Sequence, residues 1–237
     1  MEGNLASLDP VDYALLLAGF CVHLLSLIWL FRKGALPRYF TLALYLCCSI
    51  SAGVGRCIIL HTAGFNSNTY LYFYFYSDAL LVICLYFILM SLYSFVFEDM
   101  GVGKMVRAGA MLILAGTVGI SYYMIAASSD RLVTRFVIEL SQNLYFVGVV
   151  ITYLLWGAMV KVHENRTRLI HLVLSLGVYV SLFATSFAFE NLHALPAFSR
   201  YYFPLMDMWL PASWIYTFVR VPEDARMATA SVVAPSR

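Results

Sequence analysis

Seven runs of about twenty mostly apolar residues follow one another along the chain, and no other feature limits its fold so strongly. A run of that length crosses a hydrocarbon layer only as a helix, because lipid offers no water to a bare N–H or C=O and a helix bonds them all internally. The runs cover residues 11–31, 39–60, 70–96, 106–126, 132–159, 169–189 and 201–219. The connectors between them, such as RKGALPR, HTAGFNSNT and VKVHENRTR, are too short to fold alone. The expected architecture is all-α, a polytopic transmembrane bundle of seven helices forming one domain over residues 1–220. The segment 221–237, ending ATASVVAPSR, has the composition of a disordered cytoplasmic tail. With 62% hydrophobic and 12% charged residues, a soluble globular class is excluded.

Orientation follows from lysine and arginine, which concentrate on the cytoplasmic side of a membrane. Eleven of the 15 fall on one side of the expected bundle: Arg32, Lys33, Arg38, Lys104, Arg107, Lys161, Arg166, Arg168, Arg220, Arg226 and Arg237. The amino terminus is therefore expected outside and the carboxyl terminus in the cytoplasm. MEGNLASLDP is acidic where a cleaved leader would be basic, so the first helix is expected to stay as a reversed anchor. The net charge of +2 is a topology signal; basic residues come in ones, twos and threes, unlike a nucleic-acid arm. No nucleic-acid partner is expected. All five cysteines (Cys21, Cys47, Cys48, Cys57, Cys84) lie in expected helices, which leaves no disulfide framework and no Cys-x-x-Cys zinc site.

The stretch TYLYFYFYSDALL alternates aromatics as a strand would, but lies within the third run. On a helix Tyr70 and Tyr74 share one face, and the outer end of such a helix favours an aromatic belt at the headgroups. Asp78 follows at a depth of about 12 Å, with Tyr74 one turn above it. By the same measure Arg56 lies about 7 Å, Glu139 about 10 Å and Asp207 about 9 Å below the outer ends of their helices. Each charge costs at least about 2.5 to 3.5 kcal/mol in a bilayer, so such groups face the bundle interior and find partners. One polar cluster in the outer half is the expectation. Arg135, Glu139, Gln142 and Asn143 add a stripe at i, i+4, i+7 and i+8, and Ser175, Tyr179, Ser186 and Glu190 a looser one. Pro211 cannot donate to the carbonyl of Asp207, so a free carbonyl and a carboxylate coincide. Such a pair suits a cation or a ligand amine. The same charges also fit structural pairs, Arg56 with Asp78 and Arg135 with Glu139.

Other residues carry less. His23 has no second histidine at its depth, so a helix-to-helix hydrogen bond is expected and haem is not. His163, Glu164 and His171 fall at the cytoplasmic end. Gly53, Gly55, Gly116 and Gly119 fit close helix packing. Lys33, Lys104 and Lys161 are the only lysines and all lie in connectors, so the last helix has no Schiff-base lysine of the microbial rhodopsin kind. Paired histidines of ceramidase-like hydrolases and a rhomboid-type Ser–His pair are missing too. No enzymatic activity and no cofactor are expected.

PRYFTLALYL, YLYFYFYSDAL and the closing WIYTFVRVPED resemble an uncharacterised family of bacterial seven-helix integral membrane proteins. More distantly the chain is similar to seven-helix sensor regions at the amino end of histidine kinases. The resemblance implies the fold and a multi-pass location in the inner membrane, and it assigns no functional residue. RYYFPLMDMWL also echoes YFYFYSDALL, but the proline-glutamine signature of three-plus-one-plus-three sugar transporters is absent. The expected function is a receptor-like or sensory module binding a small ligand or cation. Its expected site comprises Arg56, Tyr74, Asp78, Arg135, Glu139, Gln142, Asn143 and Asp207. Besides the lipid bilayer, a cytoplasmic or membrane signalling partner is expected to pass the signal on. The alternatives are a small proton- or cation-coupled transporter, using Asp78 and Glu139, and a structural subunit of a larger complex.

Overall fold

Each of the seven apolar runs forms a helix. The computed structural model describes residues 10–64, 67–97, 103–126, 132–161, 166–191 and 199–222. Among them the elements are α1 (Pro10–Arg32), α2 (Phe40–Ala63), α3 (Asn68–Val96), α4 (Gly103–Ala126), α5 (Leu132–Lys161), α6 (Thr167–Asn191) and α7 (Ser199–Arg220), with no strand. The aromatic run 70–76 is helical: Ser67 caps α3 by accepting the Tyr70 N–H at 3.1 Å, and the Tyr70 and Tyr74 rings sit 6.4 Å apart on one face. Gly64, at a φ of 79°, ends α2 and turns the chain back into α3. The tail beyond Pro222 lies outside the described residues, as do His163 and Glu164.

Five helices are long and apolar enough to cross a membrane, over Ala14–Arg32, Phe40–Ala63, Asn68–Val96, Phe136–Lys161 and Thr167–Phe189. α4 carries a shorter apolar stretch, Met111–Tyr123, and α7 carries Pro204 and Pro211 within the helix. The helices form a ring in which each packs on its chain neighbours and α7 closes back on α1. α3 also packs on α5 and α6, so it runs through the middle. Its inward residues Ile88, Leu89 and Leu92 are buried with Leu42, Leu172 and Trp214. The outer faces are apolar as well: Leu112 and Val160 are each 75% exposed. A helix that is apolar all round suits a lipid surround, where the outward face needs no polar cover. These features mark the chain as a membrane protein.

One end of the ring is closed by arginines and aromatic rings. Arg166 and Arg168, 6% and 7% exposed, open α6 and reach the finishing turns of its neighbours. Arg166 Nη2 donates to the Phe95 carbonyl at 2.6 Å, and Arg168 Nε and Nη2 donate to the Val221 carbonyl at 3.2 and 2.9 Å. Those acceptors are helix-end carbonyls that the α-helix itself leaves unbonded, at the negative end of its dipole. Tyr39 packs edge-on against Phe95 and Phe218, each at 5.7 Å, and the Arg168 guanidinium lies 5.7 Å over Phe218. We call this the basic end; Arg56 lies towards the far end.

Candidate functional site

At the far end, α2 and α3 approach closely because Gly55 has no side chain; a Cβ there would collide with the Phe73 ring. The approach lets Arg56 reach across to α3. Its Nε and Nη2 donate to Ser77 Oγ at 2.9 and 2.7 Å, and Nη2 also meets the Tyr74 carbonyl at 3.4 Å. Ser77 Oγ in turn donates to the Tyr74 carbonyl at 2.9 Å, and the guanidinium stacks 4.3 Å over the Tyr74 ring. Among the described residues Arg56 therefore ends on a hydroxyl and a ring, and makes no ion pair with Asp78.

Asp78, the next residue along α3, faces the bundle interior. The groups that act on its carboxylate are Arg56, Ser141 of α5 and Asp207 of α7. Ser141 is 3% exposed and its hydroxyl is directed at Asp78, yet it lacks the geometry of a completed hydrogen bond. Beside the two carboxylates stand three tyrosines, Tyr45 of α2, Tyr145 of α5 and Tyr179 of α6, none more than 2% exposed. The Tyr179 hydroxyl interacts with those of Tyr45 and Tyr145, and all three rings lie within the field of Asp207. Packing holds the trio in place: Phe183 stacks on Tyr145 at 5.1 Å and on Tyr179 at 4.6 Å, and Trp214 meets Tyr45 edge-on at 5.7 Å. Five helices thus contribute oxygen-bearing side chains to one region. One turn further towards the basic end, a cavity of about 10 Å³ lies between Val82, Tyr145 and Val180. It has room for about one water.

The expected site residues separate into groups. Arg56 and Tyr74 meet through Ser77, and Asp78 and Asp207 share the interior. Asn143 points elsewhere, its Nδ2 donating to Ser121 Oγ of α4 at 2.9 Å. About 200° of helix separates it from Ser141, so the two cannot face the same neighbour. Glu139 and Gln142 are half-buried on α5. Arg135 belongs to the first turn of α5, but its side chain lies outside the described residues. Tyr45, Ser77, Ser141 and Tyr145 were not singled out from sequence. Ser141, Tyr145, Gly148 and Thr152 also recur at helical spacing, and that second stripe is the one facing α3 and α6.

His23 behaves differently from its expectation of a helix-to-helix bond. Its Nδ1–H donates to the Gly19 carbonyl of its own helix at 2.8 Å, which leaves Nε2 buried and unpartnered. Among the described residues no three His, Cys, Asp or Glu side chains converge as a metal-binding group. Comparisons with family models, curated proteins and solved structures find no match to this chain.

Proposed function

We propose that the protein is a receptor-like or sensory membrane module, without enzymatic activity, in which all seven helices cross the bacterial inner membrane. The basic end faces the cytoplasm and the far end faces outward, as lysine and arginine placement favours. A small ligand or cation binds in the outer half, around Asp78 and Asp207, and a signalling partner takes up the response. One observation carries the reading: Arg56 is spent on Ser77 and Tyr74 instead of pairing with Asp78, and Ser141, which acts on that carboxylate, is buried without a completed hydrogen bond. A charge within a bilayer costs at least about 2.5 to 3.5 kcal/mol, and scaffolding alone would favour closing the Arg56–Asp78 pair.

Transport is less well supported. Three hydroxyls nearer the basic end are consumed by their own helices: Ser94 donates to the Met90 carbonyl, Thr152 to Gly148 and Ser175 to Leu172. On α3, α5 and α6 they offer no stepping stones past the cluster, and only Ser26 of α1 and Thr41 of α2 are left as buried, unpartnered hydroxyls towards that end among the described residues.

The test is unfolding of the detergent-purified full chain with Asp78→Asn, Glu139→Gln and Asp207→Asn, each alone and combined with Arg56→Gln. The functional reading expects the Asp78 and Asp207 variants to be neutral or stabilising, as groups kept for binding often are. Losses of several kcal/mol, largely recovered in the double variants, would make the cluster scaffolding. In sealed liposomes the protein is expected to move no cation down a gradient; steady flux would favour the transporter.

A further inference from the structure

We infer that the end of α1 is a binding site for an anionic phospholipid, whose phosphate is held by Arg32 and Lys33 while its chains run along the exposed face of the helix. The inference stands apart from the proposed ligand site and needs only that α1 lies in a membrane. Its first support is position. The apolar span of α1 covers Ala14–Arg32, so the two cations stand where hydrocarbon stops and headgroups begin. Trp29, one turn earlier, is an amphipathic ring of the kind that settles at that level. Leu25, Ile28 and Arg32 share one face of α1 and all are exposed, so the cationic head and the apolar surface below it are continuous.

The second support is that the fold does not use these cations. α1 closes on its own backbone: the Lys33, Gly34 and Ala35 N–H groups donate to the carbonyls of Trp29, Phe31 and Leu30 at 3.1, 2.9 and 3.2 Å. Gly34, at a φ of 62°, supplies the left-handed residue that such a closure requires. These carbonyls need no side chain, whereas those of Phe95 and Val221 take up Arg166 and Arg168. Among the described residues Arg32 and Lys33 meet only the Trp29 ring, with Cζ and Nζ at 5.6 and 5.9 Å from its centre. A ring attracts the charge and leaves the N–H donors free for an oxyanion.

The third support is arrangement. One indole gathers a guanidinium and an ammonium, both exposed, at the level where a lipid carries its phosphate. Arg38, at the other end of the connector, lies instead over Tyr39 and Phe95 at 6.0 and 5.9 Å, and so belongs to the closed basic end. A soluble acidic partner would have no use for the apolar face formed by Leu25 and Ile28; a lipid uses both parts.

The experiment places the full chain in phosphatidylcholine vesicles containing a rising fraction of phosphatidylglycerol brominated on its chains, and reads the quenching of tryptophan fluorescence. The Trp29 signal is the difference between the chain and its Trp29→Phe variant, whose remaining tryptophans report the bulk lipid. Phosphatidylglycerol is expected to be enriched at Trp29 over phosphatidylcholine by about tenfold or more, the effect of two basic residues at a membrane surface. Arg32→Gln combined with Lys33→Gln is expected to bring occupancy down to the bulk ratio. Arg32→Lys combined with Lys33→Arg keeps the charge and is expected to keep most of the enrichment, which separates lost binding from a lost fold. Inorganic phosphate and polyglutamate, at constant ionic strength, are expected not to displace the lipid. Equal occupancy by the two lipids, or an enrichment that survives the double glutamine change, would overturn the assignment. So would displacement by phosphate, which would make the site one for a free anion, or by polyglutamate, which would make it one for an acidic protein. A charge-exchanged chain that loses as much as the glutamine chain would also count against it.

Discussion

At the basic end two buried arginines finish on helix carbonyls, each at a distance below 3 Å, while at the far end Arg56 finishes on a serine and a tyrosine ring and leaves neighbouring Asp78 without an ion pair. Both regions hold arginines against apolar surroundings, buried at the basic end and half-buried at the far end, but the acceptors differ. A carbonyl at a helix terminus is an obligatory acceptor that needs a donor in any case, so an arginine there satisfies two demands at once. Ser77 had its own acceptor in the Tyr74 carbonyl and carries Arg56 in addition. The basic end is therefore arranged as a lock between α3, α6 and α7, while at the far end an arginine and a carboxylate stand on neighbouring positions without pairing.

The comparison breaks most easily at Arg168. Arg168→Ala removes two charge-assisted bonds to the Val221 carbonyl and the cover over Phe218, and is expected to cost about 3 kcal/mol or more in detergent unfolding. Arg168→Lys is expected to recover only part, since an ammonium cannot present the two forked donors. If Arg168→Ala costs less than about 1 kcal/mol, the range of an ordinary exposed pair, the lock at this end is not one.

Much of this fold was legible before the structure, and the reason is physical. A lipid-spanning helix is a run of fixed length with no alternation to interpret, so the expected 39–60 and 169–189 correspond to Phe40–Ala63 and Thr167–Asn191. The site was legible only by depth. Depth set Arg56, Asp78 and Asp207 at one level, where charges in a bilayer are expected to seek one another, but Arg56 bonds Ser77 instead of Asp78. Depth does not give rotation: it could not separate Asn143, which faces Ser121, from Ser141, which faces Asp78. Charged and amide side chains also drew attention from Tyr45 and Tyr145, whose aromatic rings read as core and whose hydroxyls make them part of the cluster.

Ser77 sharpens the comparison, because it is the residue that keeps Arg56 apart from Asp78. Ser77→Ala is expected to cost about 1 to 3 kcal/mol if Arg56 is left without an acceptor. A smaller loss would mean that Arg56 has swung to Asp78, and a double-mutant cycle of Ser77→Ala with Asp78→Asn would then return a coupling that registers the new pair.

Helix approach can be probed at Gly177, where a Cβ would sit 2.7 Å from Thr152 Cγ2 between α5 and α6. Gly177→Ala is expected to destabilise by about 1 to 2 kcal/mol through overpacking. Gly157 of α5, with nothing within 4 Å of a Cβ, serves as the control, and Gly157→Ala is expected to be neutral or slightly stabilising. Equal effects at the two positions would mean that α5 and α6 are less closely held than their packing implies.

The smallest effect is expected at the polar pair that belongs to neither region. Asn143 Nδ2 and Ser121 Oγ join α5 to α4 at 2.9 Å, on the side of α5 turned from the cluster. Hydrogen bonds between membrane helices are worth about 0.6 kcal/mol on average, because the separated helices find other partners in the same lipid. A double-mutant cycle with Asn143→Ala and Ser121→Ala is accordingly expected to return a coupling near that value. A coupling several times larger would tie α4 into the structure as firmly as the arginines tie α6, and the division into lock and site would need a third part.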